Sequence, residues 1–290
     1  MRWVAPALLL VALVSCRGLP IADFAPPGES ANATPTTGAP SAPLVAGIAA
    51  TPRTFRGSDR FPTVPLPDGM PRASEPGCED TELLEPLPAS PVWNPPGPKR
   101  VGIQAGHWLV DEAPPELENL GTGTAAGGWD EWEVNLLLAQ QTAAQLEAAC
   151  IQVDLLPSTI PIRYRANVFL SIHADGDSSY DSRGSKIARS AISSVLAADD
   201  LLVADLQAAY RAGTGLPDDP TRVSCDMTYY YAFNPWRYQH ALDTGTPAAI
   251  IEAGYLTDPD DRAFLTAHAD VAASSIAAGL RRFLDRNLGA

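Results

Sequence analysis

The stretch ANVFLSIHAD, residues 166–175, indicates the fold of this 290-residue chain. Its apolar first half is typical of a buried β-strand, and its last residues include the polar His173 and Asp175. Two comparable runs stand on either side of it, KRVGIQAG at 99–106 and PAAIIEAGYL at 247–256. Because continuous apolar strands are buried on both faces, such runs are typical of a parallel sheet.

Helical patterns separate these strands. In DEWEVNLLLAQQTAAQLEAAC, residues 130–150, the apolar residues Val134, Leu137 and Leu138 share one helix face at i, i+3, i+4 spacing. The remaining predicted elements are a strand at 151–156, a helix at 201–213 that Gly213 is expected to end, and an amphipathic closing helix at 269–289. The alternation predicts an α/β fold, a mostly parallel twisted sheet with helices on both faces and its site at the carboxyl ends of the strands.

Proline divides the chain into regions. Eighteen of the 28 prolines lie between positions 20 and 98, and only nine lie beyond. Because proline interrupts helices and removes hydrogen-bond donors, residues 17–98 are predicted to be a disordered linker, followed by a folded domain at 99–290. As a flexible coil the linker spans ~50 Å, enough for a tether, although an unstructured leader is the alternative. Its apolar piece LLEPLPASPVW, residues 83–93, is a candidate to lie on the domain.

Residues 1–16 have the pattern of an export signal. Arg2 precedes a 12-residue apolar run, which as a helix reaches about 18 Å against the ~30 Å of a bilayer core. The run closes in Leu13-Val14-Ser15-Cys16, which resembles a bacterial lipobox with a lipidated cysteine. An ordinary secretory signal is the alternative, and either interpretation exports the protein.

The net charge of −14 divides into −3 before residue 99 and −11 after it. The chain has only two lysines, Lys99 and Lys186. Because nucleic-acid binding depends on clustered basic residues that release counterions, nucleic acid is excluded as a partner.

Three cysteines follow the signal: Cys78, Cys150 and Cys225. In an exported protein two of them are expected to pair, and the sequence leaves the pairing open. The alternative for Cys150, which follows two alanines, is a small buried side chain.

Polar residues at the strand ends are the candidates for chemistry. His107 follows the first strand, His173 lies near the end of the third, and Glu252 ends the run AAIIE. Taken singly, each histidine is interpretable as a hydrogen-bonded structural residue. Together with Glu131, at the start of the first helix, the two histidines would form a His, Glu, His set. Such a set suits one zinc ion and leaves its fourth position open for water.

Four ordered segments carry a resemblance to a known family: VGIQAGHW, DEWEVNLLLA, ANVFLSIHADG and PAAIIEAGYLTDPDDRAFL. They resemble the zinc-dependent N-acetylmuramoyl-L-alanine amidases of the family 3 type, which cleave peptidoglycan. The resemblance implies that His107, Glu131 and His173 bind Zn²⁺ and that Glu252 is the catalytic base and acid. It implies cleavage of the amide between N-acetylmuramic acid and the L-alanine of the stem peptide.

The resemblance also implies a place and partners for the chain. Peptidoglycan is the expected partner, met by a monomer in the cell envelope that Cys16 anchors to the membrane through a lipid. Two alternatives remain: a noncatalytic peptidoglycan-binding lipoprotein, and a zinc peptidase that cuts within the stem peptide. The chain departs from the family at Trp108 and Leu109, where the family has two glycines, and in a longer loop at 111–128.

Several other residues have two interpretations each. Trp108 would stack on substrate or cap the core, and Asp175 would orient a ligand or cap a turn. The aromatic run at 227–238 would wall the groove or pack as a loop. Arg163 and Arg165 are predicted to be solvated rather than substrate-binding. His240 and His268 are predicted to be structural or exposed.

Overall fold

The computed structural model describes residues 86–288 and the backbone of Arg53 and Thr54. The predicted export signal, its Cys16, and most of the predicted linker lie outside the described residues. The family-like segments all lie within them.

One six-stranded sheet forms the centre of the domain. Its strands are β1 Arg53–Thr54, β2 Arg100–Ala105, β5 Gln152–Leu156, β6 Val168–Asp175, β7 Lys186–Ala188 and β8 Ala248–Tyr255, in the spatial order β1-β5-β2-β6-β8-β7. All neighbouring strands pair in parallel except β7, which is antiparallel to β8. A separate hairpin pairs β3 Ala125–Ala126 with β4 Trp129–Asp130. The predicted mostly parallel α/β sheet is therefore confirmed.

The two faces of the sheet are covered differently. The helices are α1 Glu131–Ala148, α2 Leu196–Thr214, α3 Cys225–Thr228, α4 Pro259–Ala267 and α5 Ala269–Leu284. Buried residues of α1, α2, α4 and α5 share one core with strand residues such as Ile103 and Leu170. On the other face Phe169 and Ile250 pack under short helical turns and loops that carry Tyr231. Helices were predicted on both faces, but the four long helices occupy one face, and the other carries only the short α3, helical turns and loops, which leave room for a cavity.

The strand pleat aims the site residues at the loop-covered face. Ile172 and Ala174 pack in the helix-side core, as do Ile251 and Ala253. Because successive side chains of a strand point to opposite faces, the residue between each pair points to the other face. Those residues are His173 and Glu252, which are also direct partners in the pairing of β6 with β8.

Helix α2 ends one residue later than was predicted from Gly213. It continues through Gly213 to Thr214, and Gly215, with φ of 69°, forms the left-handed cap. A Cβ on Gly213 would lie 2.1 Å from Oγ of Ser275, so this glycine permits close packing of α2 on α5. The prediction that Gly213 ends the helix was wrong. Glycine is common both at helix ends and where two helices pack closely, and Gly213 has the second role.

The end of the predicted linker lies on the domain. The backbone amides of Leu87, Ser90 and Trp93 donate to carbonyls of Ile192, Ser194 and Gly245 at 2.7–3.0 Å. Asn94 donates to the carbonyl of Leu288 and accepts from Asn167. The expectation that residues 83–93 contact the domain is confirmed for 87–93.

Cys150 and Cys225 are both disulfide-bonded. Cys150 is exposed, directly after the cap of α1, so its alternative interpretation as a buried side chain was wrong. Cys78 lies outside the described residues.

No single helix in residues 86–288 is long and apolar enough to cross a membrane. Helices α4 and α5 reach the length and apolar composition of a span only when taken together, and the two helices meet at a bend of 81°. Their apolar residues, including Leu265 and Ile276, are buried in the domain core.

We expect the native chain to lose stability between about pH 4 and pH 7 as the buried Asp199 ionises. The variant Asp199→Asn should not show this loss. Asp199 is 1% exposed, and burial raises its pKa to about 7. A raised pKa means that the folded state holds the proton more tightly than the unfolded state. The stabilisation is therefore present at low pH and is lost as pH rises toward 7, by on the order of 4 kcal/mol.

The asparagine retains the oxygen that accepts from the amide of Ala248, at 2.8 Å in the native chain. Urea unfolding of both proteins from pH 4.5 to 8.5 measures the difference, with the adjacent, exposed Asp200→Asn as the charge-matched control. Parallel stability curves for the native chain and Asp199→Asn would contradict the prediction.

Candidate active site

Four side chains converge at the carboxyl edge of the sheet. His107 follows β2, Glu131 is the first residue of α1, and His173 and Glu252 lie on the adjacent strands β6 and β8. His107 has φ of 60°, a left-handed conformation that is uncommon for a residue with a side chain. The turn that places His107 over the sheet therefore carries backbone strain, as turns at functional sites often do.

The two histidines and Glu131 meet at one carboxylate oxygen. Nε2 of His107 lies 3.3 Å from Oε1 of Glu131, and Nδ1 of His173 lies 3.1 Å from the same oxygen. The imidazole rings stand edge to face with centroids 4.9 Å apart. One potential ligand atom from each residue lies within 4.8 Å of the others. The structure thus brings together the three residues predicted as ligands.

Hydrogen bonds orient His107 and Glu131. Nδ1 of His107 is 2.6 Å from the carbonyl of Gly121, so Nδ1 donates to this carbonyl and Nε2 faces Oε1 of Glu131. Oε2 of Glu131 accepts from the amide of Thr124 at 2.8 Å. Asn135, one turn along α1, donates to Oε1 of Glu131 and to the carbonyl of Gly106, each at 3.1 Å.

Electrostatics follow from these contacts. Burial would raise the pKa of Glu131, but hydrogen bonds and charge from His107 and His173 hold it well below its usual range. Burial alone would lower the pKa of His107, and the hydrogen bond and charge of Glu131 outweigh it, so the pKa is raised. Glu131 is therefore an ionised carboxylate between two imidazoles.

The donor set fits a single divalent ion. Two ligand atoms each ~2.1 Å from a tetrahedral ion lie ~3.4 Å apart, close to the 3.1 and 3.3 Å separations found here. The ligand atom of His173 in this set is Nδ1, and its other ring nitrogen, Nε2, is buried without a hydrogen-bond partner among the described residues.

Glu252 lies beside this set as a second buried carboxylate. It is 9% exposed, and its Oε2 has no hydrogen-bond partner within residues 86–288. Burial raises its pKa well above the ordinary value, and the negative charges of Glu131 and Asp175 add to the effect. Glu252 thus has a free oxygen available for a proton.

A buried cation, Lys186, offsets part of this negative charge. Lys186 is the register partner of Glu252 on β7, and its Nζ forms an ion pair with Asp175. Asp175 also accepts from the amide of the next residue, Gly176, at 2.7 Å, and it lines the cavity. The positive charge of Lys186 opposes the rise in the pKa of Glu252.

An open cavity of about 540 Å³ contains these residues. One wall is the aromatic segment 227–238, which includes Tyr229, Tyr230 and Tyr238. Buried Gln104 orients this wall, because Oε1 accepts from the hydroxyl of Tyr230 and Nε2 donates to Tyr231. Both interpretations of the segment are confirmed, since it lines the cavity and also packs in the loop-side core.

The remaining candidates do not line the cavity. Trp108 packs against the helix-side core, which confirms its core-capping interpretation. Arg163 is buried and donates to the carbonyl of Pro235, so its predicted solvation was wrong. The side chain of Arg165 is 39% exposed and forms an ion pair with Asp243, so this residue lies at the surface, as predicted. Exposed His268 packs on Phe264 and is not part of the site, as predicted.

His240 has a structural role, as predicted. Its Nδ1 lies 2.6 Å from a carboxylate oxygen of Glu116, which also accepts from the His240 amide. Glu116 belongs to the long loop at 111–128, which supplies the Gly121 carbonyl to His107. The contact joins that loop to the end of the aromatic segment.

Three residues of the site were not predicted: Gln104, Asn135 and Lys186. Asn135 had a detectable signal, because i, i+4 spacing places it beside Glu131 on one helix face. Lys186 had none, because it lies in a strand of only three residues.

A mostly parallel sheet with a possible His, Glu, His metal site and a buried carboxylate at its carboxyl edge is the arrangement of a hydrolase. The N-acetylmuramoyl-L-alanine amidase family model matches residues 101–282. The chain therefore belongs to the N-acetylmuramoyl-L-alanine amidase family of family 3 type and is a peptidoglycan amidase.

Solved structures with a similar fold are described by the same activity. The catalytic domain of CwlV from Bacillus (Paenibacillus) polymyxa var. colistinus is 22% identical, with a TM-score of 0.47 and coverage of 64% of this chain and 98% of that one. AmiC2 of Nostoc punctiforme is 20% identical, with a TM-score of 0.48 and coverage of 66% and 99%. Ami1 from Mycobacterium smegmatis is 17% identical, with a TM-score of 0.48 and coverage of 65% and 97%. No curated protein matches the chain.

Proposed function

We propose that this chain is a zinc-dependent hydrolase that cuts the amide between the lactyl group of N-acetylmuramic acid and the L-alanine of the stem peptide. In this proposal His107, Glu131 and His173 hold one Zn²⁺, and Glu252 is the catalytic residue. The observation that carries it is the convergence of three ligand atoms on one point beside an unpartnered carboxylate oxygen.

The protein's part in the reaction is to position groups and to move one proton. When bound, zinc polarises the scissile carbonyl and lowers the pKa of a bound water. Glu252 accepts a proton from the attacking water, whose oxygen bonds to the carbonyl carbon. As the carbon–nitrogen bond breaks, Glu252 returns that proton to the leaving amine of L-alanine. Oriented by Gly121 and Asn135, His107 and Glu131 stay fixed throughout.

We extend the proposal to the rest of the chain. Cys16 carries a lipid that anchors a monomer to the membrane, and the part of residues 17–98 that does not pack on the domain lets the domain reach the cell wall. The envelope location agrees with the family's substrate. The contacts of residues 87–94 with the domain support a tether that joins the domain before residue 99.

Product analysis distinguishes the amidase from the zinc peptidase. Digestion of purified peptidoglycan is expected to release intact stem peptides with a free L-alanine amine. Mass spectrometry identifies these products. Fragments cut within the stem would instead support the peptidase. No release by either the native chain or Glu252→Gln would support a noncatalytic binding protein.

Gly106→Ala is expected to weaken zinc binding by about 10–100-fold, the effect of disturbing a ligand's orientation. A Cβ on Gly106 would lie 2.3 Å from Cε1 and Nε2 of His173, so the imidazole has to move. Competition with a zinc chelator measures the affinity. Gly213→Ala is the matched control, since its Cβ would lie 2.1 Å from Oγ of Ser275, a similar close contact between α2 and α5 that involves no ligand. Equal zinc affinities for Gly106→Ala and the native chain would show that His173 is not a ligand.

A further inference from the structure

The exposed aromatic side chains lie at one edge of the domain. Among the described residues the exposed large hydrophobic side chains are Trp129 at 38%, Trp132 at 36%, Tyr180 at 67% and Leu196 at 41%. Trp129 and Trp132 flank Glu131 in sequence, and Tyr180 lies on the loop after β6, which carries His173. Leu196 begins α2 at the opposite edge, where Asp199 caps the first amide of β8. All three aromatic members therefore belong to the edge that holds the site.

The two tryptophans stand on a segment fixed to the site. The amide of Glu131 donates to the carbonyl of Thr124, and the Thr124 amide donates back to Oε2 of Glu131, both at 2.8 Å. At the hairpin turn, a Cβ on Gly127 would lie 2.2 Å from Nε of Arg262, so the turn rests on this side chain. Arg262 itself donates to the carbonyl of Leu256 at 2.6 Å. The hairpin before α1 is thus held on both sides, which keeps the exposed indoles in place.

An exposed aromatic surface beside an active site suits a ligand with a flat apolar face. Pyranose rings have such a face on their axial C–H groups, and the N-acetylglucosamine units of peptidoglycan carry no charge. Charge favours them further, because the chain after residue 98 has a net charge of −11 and the cavity contains the carboxylates of Glu131, Asp175, Asp226 and Glu252. At the tryptophans this negative charge disfavours an anionic ligand, whereas it does not repel a neutral sugar.

We propose that Trp129 and Trp132 form a glycan-binding surface that stacks the sugar rings of the strand bearing the cleaved stem peptide. This proposal rests on the proposed function, since that function places N-acetylmuramic acid in the cavity and its glycan neighbours at the cavity's rim. The surface holds the polymer, and the cavity holds the amide. The fixed hairpin lowers the entropy cost of binding, because the backbone that carries Trp129 is already held in place.

The probe for this surface is chitotetraose, a neutral tetramer of N-acetylglucosamine that contains no scissile amide. Calorimetric titration of the full chain is expected to show binding that the double variant Trp129→Ala/Trp132→Ala weakens at least 10-fold. Leu196→Ala, an equally exposed hydrophobic residue at the opposite edge, is expected to bind like the native chain. Trp129→Phe/Trp132→Phe, which retains aromatic rings, is expected to recover most of the affinity.

Cleavage of a single-sugar N-acetylmuramoyl peptide separates this proposal from the proposed function. The double alanine variant is expected to cleave this short substrate at the native rate, which also shows that it is folded. No cleavage by the native chain, with tetramer binding lost only in the tryptophan variant, would contradict the proposed function and support the glycan surface. Absent tetramer binding by the native chain, or equal binding by the double variant, would overturn the surface. Loss of self-association instead of glycan binding in that variant would also overturn it, in favour of a contact between two copies.

Discussion

Glu252→Gln is expected to lower the rate of amide cleavage by about 10²–10⁴-fold, the usual contribution of a general acid and base. Glutamine has nearly the same shape, but its amide cannot accept a proton from water and return it to an amine. Because Oε2 of Glu252 has no partner among the described residues, the substitution breaks no hydrogen bond of that oxygen. Zinc content and thermal stability should therefore remain close to native.

Steady-state rates on a purified muropeptide measure this effect. Asp226→Asn is the control, since it removes a negative charge from the same cavity without touching the proposed proton transfer. We expect it to stay within about 10-fold of the native rate. Comparable losses in both variants would mean that cavity charge, and not proton transfer by Glu252, sets the rate.

Removal of a metal ligand is expected to have the second large effect, the loss of both zinc and activity. Three protein ligands leave no spare donor, so Glu131→Ala or His173→Ala should hold well under one zinc per chain after dialysis. The native chain should hold one. Chelation should inactivate the native chain, and added zinc should restore its activity but not that of the variants.

Elemental analysis of each purified protein gives the zinc stoichiometry. His268→Ala is the control, because His268 is exposed and packs on Phe264 away from the site. It should retain zinc and activity. One zinc per chain in Glu131→Ala would show that the ion binds elsewhere.

The sheet was largely predictable because its strands are long, apolar and buried. The runs at 99–106, 166–175 and 247–256 are mostly apolar, and such near-continuous apolar runs indicated buried strands and their parallel pairing. Strand β7 was not predicted, since three residues are too few for a pattern. Helix α4 was not predicted: the closing helix was placed at 269–289, and α4 precedes α5 by the single residue His268.

The site's ligand types were predictable, but their orientation was not. His107, Glu131, His173 and Glu252 were identified by strand ends and by the resemblance, and the structure brings the first three within 4.8 Å. Their partners come from distant segments: the Gly121 carbonyl lies in a loop without a clear pattern, and Lys186 reaches Asp175 only through strand pairing. Such contacts follow from tertiary packing, which local sequence does not encode.

The departure from the family at Trp108 and Leu109 has a structural cost. Leu109 has φ of 57°, a left-handed conformation that glycine adopts without strain. The domain accepts this strain while Trp108 packs on the core and its carbonyl accepts from the amide of Ser158. The side chains that replace the family's glycines thus support the turn that carries His107, and neither lines the cavity.

The most direct test of the proposed amide cleavage is hydrolysis in ¹⁸O-labelled water with the native chain, zinc and a purified N-acetylmuramoyl peptide. Attack of water on the lactyl carbonyl carbon predicts one ¹⁸O in the carboxylate of the released N-acetylmuramic acid and none in the intact stem peptide. Label in a peptide carboxylate, with the lactyl amide uncut, would contradict the account.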